Sequence, residues 1–188
     1  DEAGLADNTI VIFTSDHGEL LGDHGIYQKG PFLYDGAIRV PLIISWPGHI
    51  PAGRRLNTMI ELGDLAPTLL DAAGLPRPPE MQTKSFWELL TTADAPDEHR
   101  DDIYCEYFNS NPNPEPVYCS AIRTRRHKLV NWHGQEIGEL YDLEKDAAEI
   151  HNRWDDPEYA SVKMDLLKRL CDRLAFTADP MPERIGIF

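Results

Sequence analysis

The chain has 188 residues, with 18 Lys plus Arg against 32 Asp plus Glu and a formal net charge of −14. A protein that grips a nucleic-acid backbone needs a basic face, so this balance argues against DNA or RNA as a partner. Hydrophobic residues make up 41% of the chain, which supports a buried core and excludes wholesale disorder, and no apolar run reaches transmembrane length. The length suits one large domain, or a core piece with a subdomain.

The first predicted element is the β-branched run Thr9–Ser15, a strand expected to be buried on both faces, and Val40–Trp46 is a second such strand. Pro47-Gly48 and Pro51-Ala52-Gly53 mark turns. Asp64–Ala73 reads as a helix, with Asp64 as N-cap, Pro67 in the first turn, Leu65, Leu69 and Ala72 on one face, and Gly74 closing it before Pro76. After a proline-marked loop, Phe86–Leu90 is a short helix, and the polar, acidic stretch Thr92–Asp102 is the expected boundary between residues 1–96 and 97–188. Four antiparallel strands are expected beyond it, at Ile103–Phe108, Tyr118–Arg123, Lys128–Trp132 and Glu139–Leu143. Asn109–Pro116 is an irregular loop, a candidate for the substrate rim. Pro157–Phe176 closes the chain as an amphipathic helix capped by Asp156, with Val162, Leu166, Leu167, Leu170 and Leu174 at helical spacing.

The chemistry concentrates where the first strand ends, at Ser15-Asp16-His17-Gly18, followed by a glycine-punctuated loop carrying Asp23, His24 and Lys29. Ligands of open α/β sheets bind at the carboxyl ends of strands. Successive strand side chains point to opposite faces, so Asp16 and His17 can share one ion only past the strand end, where Gly18 permits a turn. Asp16 supplies a hard oxygen ligand, His17 a borderline nitrogen and Lys29 a positive charge for an oxyanion, which together suit metal-assisted attack on an anionic ester. The bland alternative is a capped turn followed by a flexible loop.

These residues, with Leu21-Gly22-Asp23-His24-Gly25, Lys29-Gly30 and Arg39-Val40-Pro41-Leu42-Ile43-Ile44, resemble the sulfatase family of the alkaline phosphatase superfamily, a pattern that phosphonate monoester hydrolases share. The stretch Asp64–Pro76, and later Arg123–Leu129, Glu139–Leu143 and Glu149–Asn152, extend the likeness over nearly the whole chain, with gaps around residues 80 to 116. The resemblance implies an α/β fold: the C-terminal part of an alkaline phosphatase-like sandwich core, plus a small antiparallel-sheet subdomain with a terminal helix. It implies Asp16 and His17 as ligands of a divalent cation, calcium first, with manganese or magnesium as alternatives. It further implies Lys29 as a catalytic and substrate-group ligand, and His24 as a loop residue of more variable catalytic or substrate-binding role. The expected partner is a small-molecule or saccharide sulfate ester.

The same resemblance locates what this chain lacks. The family's formylglycine is made from Cys or Ser in a C/S-x-P/A-x-R motif, and a pair of early aspartates completes the metal site, both upstream of the Asp-His strand. The expectation is therefore a carboxyl-terminal portion of a longer hydrolase, inactive by itself, with a phosphonate or phosphate ester hydrolase or a non-catalytic module retaining half the fold as alternatives. Cys119-Ser120-Ala121-Ile122-Arg123 fits the motif literally, but it lies in a predicted strand of the terminal sheet and after the metal loop, so Cys119 is not expected to be the nucleophile precursor. Pairing of Cys105 with Cys119 is left open, and Cys171 stands apart. The basic cluster Arg123, Arg125, Arg126 and Lys128 is expected to be a solvated turn, as are Asp142, Glu144 and Asp146. His49, His99, His127, His133 and His151 are expected at the surface, with Trp132-His133 as a candidate pocket mouth.

Overall fold

The computed structural model describes residues 2–109 and 115–177, so the tip of the Asn109–Pro116 loop and the last residues of the chain lie outside them. Strand β1 (Val11–Thr14) pairs antiparallel with β2 (Leu42–Ser45), placing Ile12 opposite Ile44 and Phe13 opposite Ile43. Both strands are shorter than their apolar runs. Their alternation turns Ile12 and Ile44 toward helix α2 (Leu65–Ala72) and helix α3 (Trp87–Thr91), where Leu65, Leu69, Ala72, Trp87 and Leu90 complete an apolar seam. The opposite face is open: Val11, Phe13 and Ile43 are each about 60% exposed. The expectation of strands buried on both faces is corrected, because among the described residues nothing packs on that side.

Helix α2 ends as its sequence demands. Gly74 takes φ +66, its N–H reaches the Asp71 carbonyl, and the Leu75 N–H closes onto Leu70. Its beginning differs from expectation. Asp64 stands at the N-cap position, but its carboxylate caps no α2 N–H. It accepts instead from the backbone N–H groups of Glu61 and Lys84, from His99 Nε2 at 3.1 Å and from both arms of Arg100. An ionised carboxylate without solvent exposure is tolerable only with such a set of donors.

The second sheet is a meander, β3 (Ile103–Phe108), β4 (Tyr118–Arg123), β5 (His127–Trp132) and β6 (Gly138–Asp142), antiparallel throughout and within a residue of the predicted spans. Alternation explains why its central strands are buried on both faces. Ile122, Leu129 and Leu140 face helix α4 (Ala160–Thr177), which contributes Leu166 and Leu170; Val162, Leu167 and Leu174 pack around them. Each fully buried leucine here contributes about 1.5–3 kcal/mol. Cys119, Ala121, Val130 and Trp132 face the other way, onto Phe32, Leu33 and Ile38. Asp156 caps the entry to α4 through the Glu158 N–H, as expected, with Pro157 and Tyr159 forming a short 3-10 turn first.

Several polar residues expected at the surface are buried. Lys128 is fully enclosed, because on β5 it shares with Val130 and Trp132 the face covered by residues 31–38. Arg123 clasps the Asp35 carboxylate with two bonds, at 3.0 and 2.9 Å. The His99 side chain is only 4% exposed, packed on Asp64. Asp142 is buried and accepts from the Tyr159 hydroxyl at 3.0 Å. Trp132 is a core residue whose Nε1 donates to Glu139, and His133 meets the Ser120 hydroxyl. All three cysteines are free, and β3–β4 register sets Cys105 opposite Ala121 and Tyr107 opposite Cys119. Burial pushes the Cys119 thiol up to about 12, and its Sγ donates to the Pro31 carbonyl, which makes it an inert core residue.

Candidate metal and substrate site

Asp16 and His17 follow the last residue of β1 by two and three positions, where the backbone has left the sheet. Their side chains turn to the same side: His17 Nε2 lies 3.6 Å from Asp16 Oδ2, with 83% of the Asp16 side chain and 43% of the His17 side chain exposed. The His17 N–H also binds Asp16 Oδ1 at 3.0 Å, and His17 Nδ1 lies 2.8 Å from the Gly18 carbonyl oxygen. Since a carbonyl only accepts, that contact assigns the ring proton to Nδ1 and leaves the Nε2 lone pair beside the Asp16 carboxylate. When the His17 ring carries a second proton its charge, together with the N–H bonds at the turn, holds the Asp16 carboxyl below its usual range.

The turn is fixed by Gly18 in a manner the sequence did not predict. Gly18 does not use the left-handed region reserved for glycine. Its N–H donates to the Ala37 carbonyl at 2.7 Å, and a Cβ at this position would overlap the Gly36 carbonyl oxygen. The requirement is for close approach to helix α1 (Asp35–Ile38), not for a special φ.

His24 and Lys29 lie on the loop that leads back to α1. Leu21 and His24 both adopt positive φ, at 51° and 55°, and each is followed by a glycine that does the same. Non-glycine residues held there store strain, which clusters at functional loops. The His24 ring stacks on Tyr34, with centroids 3.7 Å apart and planes within 7°. The Lys29 side chain makes no hydrogen bond or ion pair with any described residue, and neither His24 nor Lys29 contacts the Asp16–His17 pair by such bonds. The structure thus brings Asp16 and His17 together and sets His24 and Lys29 on one adjoining loop.

The donor set is chemically suited to a divalent cation. A carboxylate oxygen and an imidazole nitrogen converge from adjacent residues, and the second imidazole nitrogen is satisfied by a carbonyl, as metal-bound histidines require. They form a partial shell: among the described residues no group of three or more His, Cys, Asp or Glu side chains converges on one point.

A family model described as N-sulphoglucosamine sulphohydrolase, C-terminal, matches residues 22–175, which includes His24 and Lys29. The chain is 33% identical over 172 residues to an N-acetylglucosamine-6-O-sulfatase of Bacteroides thetaiotaomicron, covering 90% of this chain and 31% of that protein. It is 33% identical over 173 residues to an arylsulfatase of Clostridium perfringens, covering 90% of this chain and 34% of the other. Among solved structures, a protein in complex with its substrate D-glucosamine-2-N,6-O-disulfate superposes with TM-score 0.83 at 31% identity, over 98% of this chain and 38% of that one. The phosphonate monoester hydrolase of Agrobacterium radiobacter superposes with TM-score 0.84 at 32% identity, over 95% of this chain and 37% of the other. The chain spans about a third of the length of the curated relatives named here. By sequence and by fold, the chain belongs to the sulfatase family of the alkaline phosphatase superfamily, in its carboxyl-terminal portion.

Proposed function

We propose that this chain supplies the carboxyl-terminal part of a metal-dependent hydrolase of sulfate esters, with a sulfated saccharide as substrate class. The observation that carries the reading is the convergence of Asp16 Oδ2 and His17 Nε2 at the carboxyl end of β1. Residues 1–96 form the part that carries the site and 97–188 the subdomain that backs it. When bound, a divalent cation, calcium first and manganese or magnesium otherwise, polarises the ester oxygens and the nucleophile. Asp16 and His17 would be that cation's ligands from this chain. Lys29 would neutralise charge developing on the transferred group, and His24, stacked on Tyr34 in the same loop, is the second candidate for contact with that group. The saccharide assignment draws on the named relatives, an N-acetylglucosamine-6-O-sulfatase and a protein solved with a glucosamine disulfate. The nucleophile is assigned to sequence upstream of Asp1.

A second reading is hydrolysis of phosphonate or phosphate monoesters, favoured by the fit to the phosphonate monoester hydrolase at TM-score 0.84. Assay of the complete hydrolase on paired sulfate and phosphonate esters of one alcohol ranks the two.

The metal assignment is tested in the 188-residue chain itself. Mn2+ titration is expected to broaden the His17 imidazole resonances selectively, with weak affinity because the shell is partial. Asp16→Ala should abolish that broadening; persistence of it in the variant overturns the ligand assignment. Reading the codons upstream of Asp1 tests the rest: an in-frame C/S-x-P/A-x-R motif supports the enzyme, and a start codon directly before Asp1 leaves a non-catalytic module. In the complete hydrolase, Lys29→Ala should lower kcat about a hundredfold, the scale of one lost oxyanion donor. A near-normal kcat removes Lys29 from the site.

A further inference from the structure

We propose that Lys128, in the middle of the second sheet, is a positioning residue for the Asp16–His17 site, acting through residues 33–37. Its side chain is fully buried, and its ammonium donates to the Leu33 carbonyl at 2.7 Å, pairs closely with Glu149 and lies 3.5 Å from Asp35 Oδ1. Glu149 passes the grip onward: its Oε2 accepts the Asp35 backbone N–H at 2.7 Å. Arg123, beside Lys128 in sheet register, holds the Asp35 carboxylate from the other side. Two cations and two anions therefore close on Leu33–Asp35, and their charges cancel.

What they hold is the platform of the site. Asp35 opens α1, whose Ala37 carbonyl receives the Gly18 N–H next to His17. Tyr34, between the gripped residues, carries the stacked His24, and the Lys128 ammonium sits 5.8 Å from the Tyr34 ring centroid. One buried ammonium thus meets both arms of the site, Gly18 through α1 and His24 through Tyr34. An apolar residue would fill the same volume but leave Glu149 and the Leu33 carbonyl without their cation, so burying a lysine here answers a positional demand. The backbone of Glu149 points the same way. It is held at φ +58, an unfavourable conformation for a residue with a Cβ, and its carboxylate reaches α1.

The inference concerns what Lys128 does for the site and rests on the reading of Asp16 and His17 as ligands; its mechanical part is measured without metal. Amide hydrogen exchange of the 188-residue chain should show Gly18 protected through Ala37. In the charge-neutral double variant Lys128→Met/Glu149→Gln, Gly18 exchange should quicken at least about tenfold relative to the amides of Leu129–Asn131, with the His24 ring resonances shifted. Equal acceleration at Gly18 and in the sheet, or none at Gly18, overturns the proposal, because a merely structural role changes all protected amides together. If the double variant does not fold, Arg123→Gln removes the rim clasp on Asp35 and is judged by the same ratio. Mn2+ broadening of His17 should weaken about tenfold in the variant that folds. Its absence in the unaltered chain sinks the ligand reading alone, while the exchange ratio still decides the coupling.

Discussion

Gly18→Ala is expected to disable the site while leaving the second sheet intact. The added methyl would enter the space of the Gly36 carbonyl oxygen, which is backbone and cannot rotate aside. Relief requires the 16–18 turn to withdraw from α1, which breaks the 2.7 Å bond from the Gly18 N–H to the Ala37 carbonyl. Overpacking costs about 1–3 kcal/mol. The N–H and C=O left without partners add about 1–3 kcal/mol if they stay dry. A loss of about 2 kcal/mol or more follows, large against the stability of a typical domain. His17 moves with the turn because its Nδ1 is tied to the Gly18 carbonyl. The two donors then no longer converge, and selective Mn2+ broadening of His17 should vanish. Urea unfolding and the same titration check both parts; unchanged midpoints with retained broadening would show that Gly18 is dispensable.

The elements that were legible in the sequence are those in which one local signal and the tertiary demand agree. The four strands of the meander were predictable because alternation, turn residues and strand length coincide over residues 103–142. The α4 face was predictable from leucine spacing, and its entry from Asp156-Pro157. Asp16, His17, His24 and Lys29 were singled out by residue type at a strand end and by a family pattern, both visible in one dimension. What was not legible is pairing at long range. Asp64 looks like an N-cap because aspartate before a helix usually is one, yet an arginine 36 positions later claims its carboxylate. Lys128 looks like part of a solvated basic turn because three arginines precede it. Its burial follows from Glu149 and from residues 33–35, which lie 21 positions after it and more than 90 before it. Gly18 was singled out correctly but for the wrong reason, since close approach to another segment leaves no trace in φ preference. The openness of the β1–β2 outer face was equally hidden, because an apolar run reports affinity for a core and not whether a core lies on both sides.

The larger stability effect is expected at Arg100, and it carries a pH signature. Arg100 holds Asp64 by two bonds and lies 3.4 Å from Glu61, while Arg173 of α4 bridges Glu61 and Asp102. The network therefore ties the start of α2 to the segment before β3 and to the last helix. Burial tends to raise the Asp64 carboxyl, but the Arg100 bonds and the Lys84 and Glu61 N–H groups outweigh it and hold it below the usual range. Arg100→Met leaves that carboxylate enclosed with its main counter-charge gone, a change that costs about 3–5 kcal/mol. Asp64→Asn in the same background removes the stranded charge and keeps an acceptor for one of the two N–H groups, which bond different carboxylate oxygens, so part of the loss should return. A cost below about 1 kcal/mol for Arg100→Met in urea unfolding would mean the pair is incidental. The acid response follows from the same cluster. Burial lowers the His99 pKa despite its bond to Asp64, so the folded state resists protonation there. The contribution of His99 is complete above its unfolded value near 6.5 and declines as pH falls below it. Asp64, whose folded pKa is depressed, contributes fully above the unfolded carboxylate value and loses that contribution only at lower pH still. His127, also shifted down by burial, adds a parallel slope. Tm should therefore fall between about pH 7.5 and pH 5.5, and His99→Gln should flatten that fall by a measurable part. An unchanged slope in His99→Gln would assign the acid sensitivity to His127 and would detach His99 from the Asp64 network.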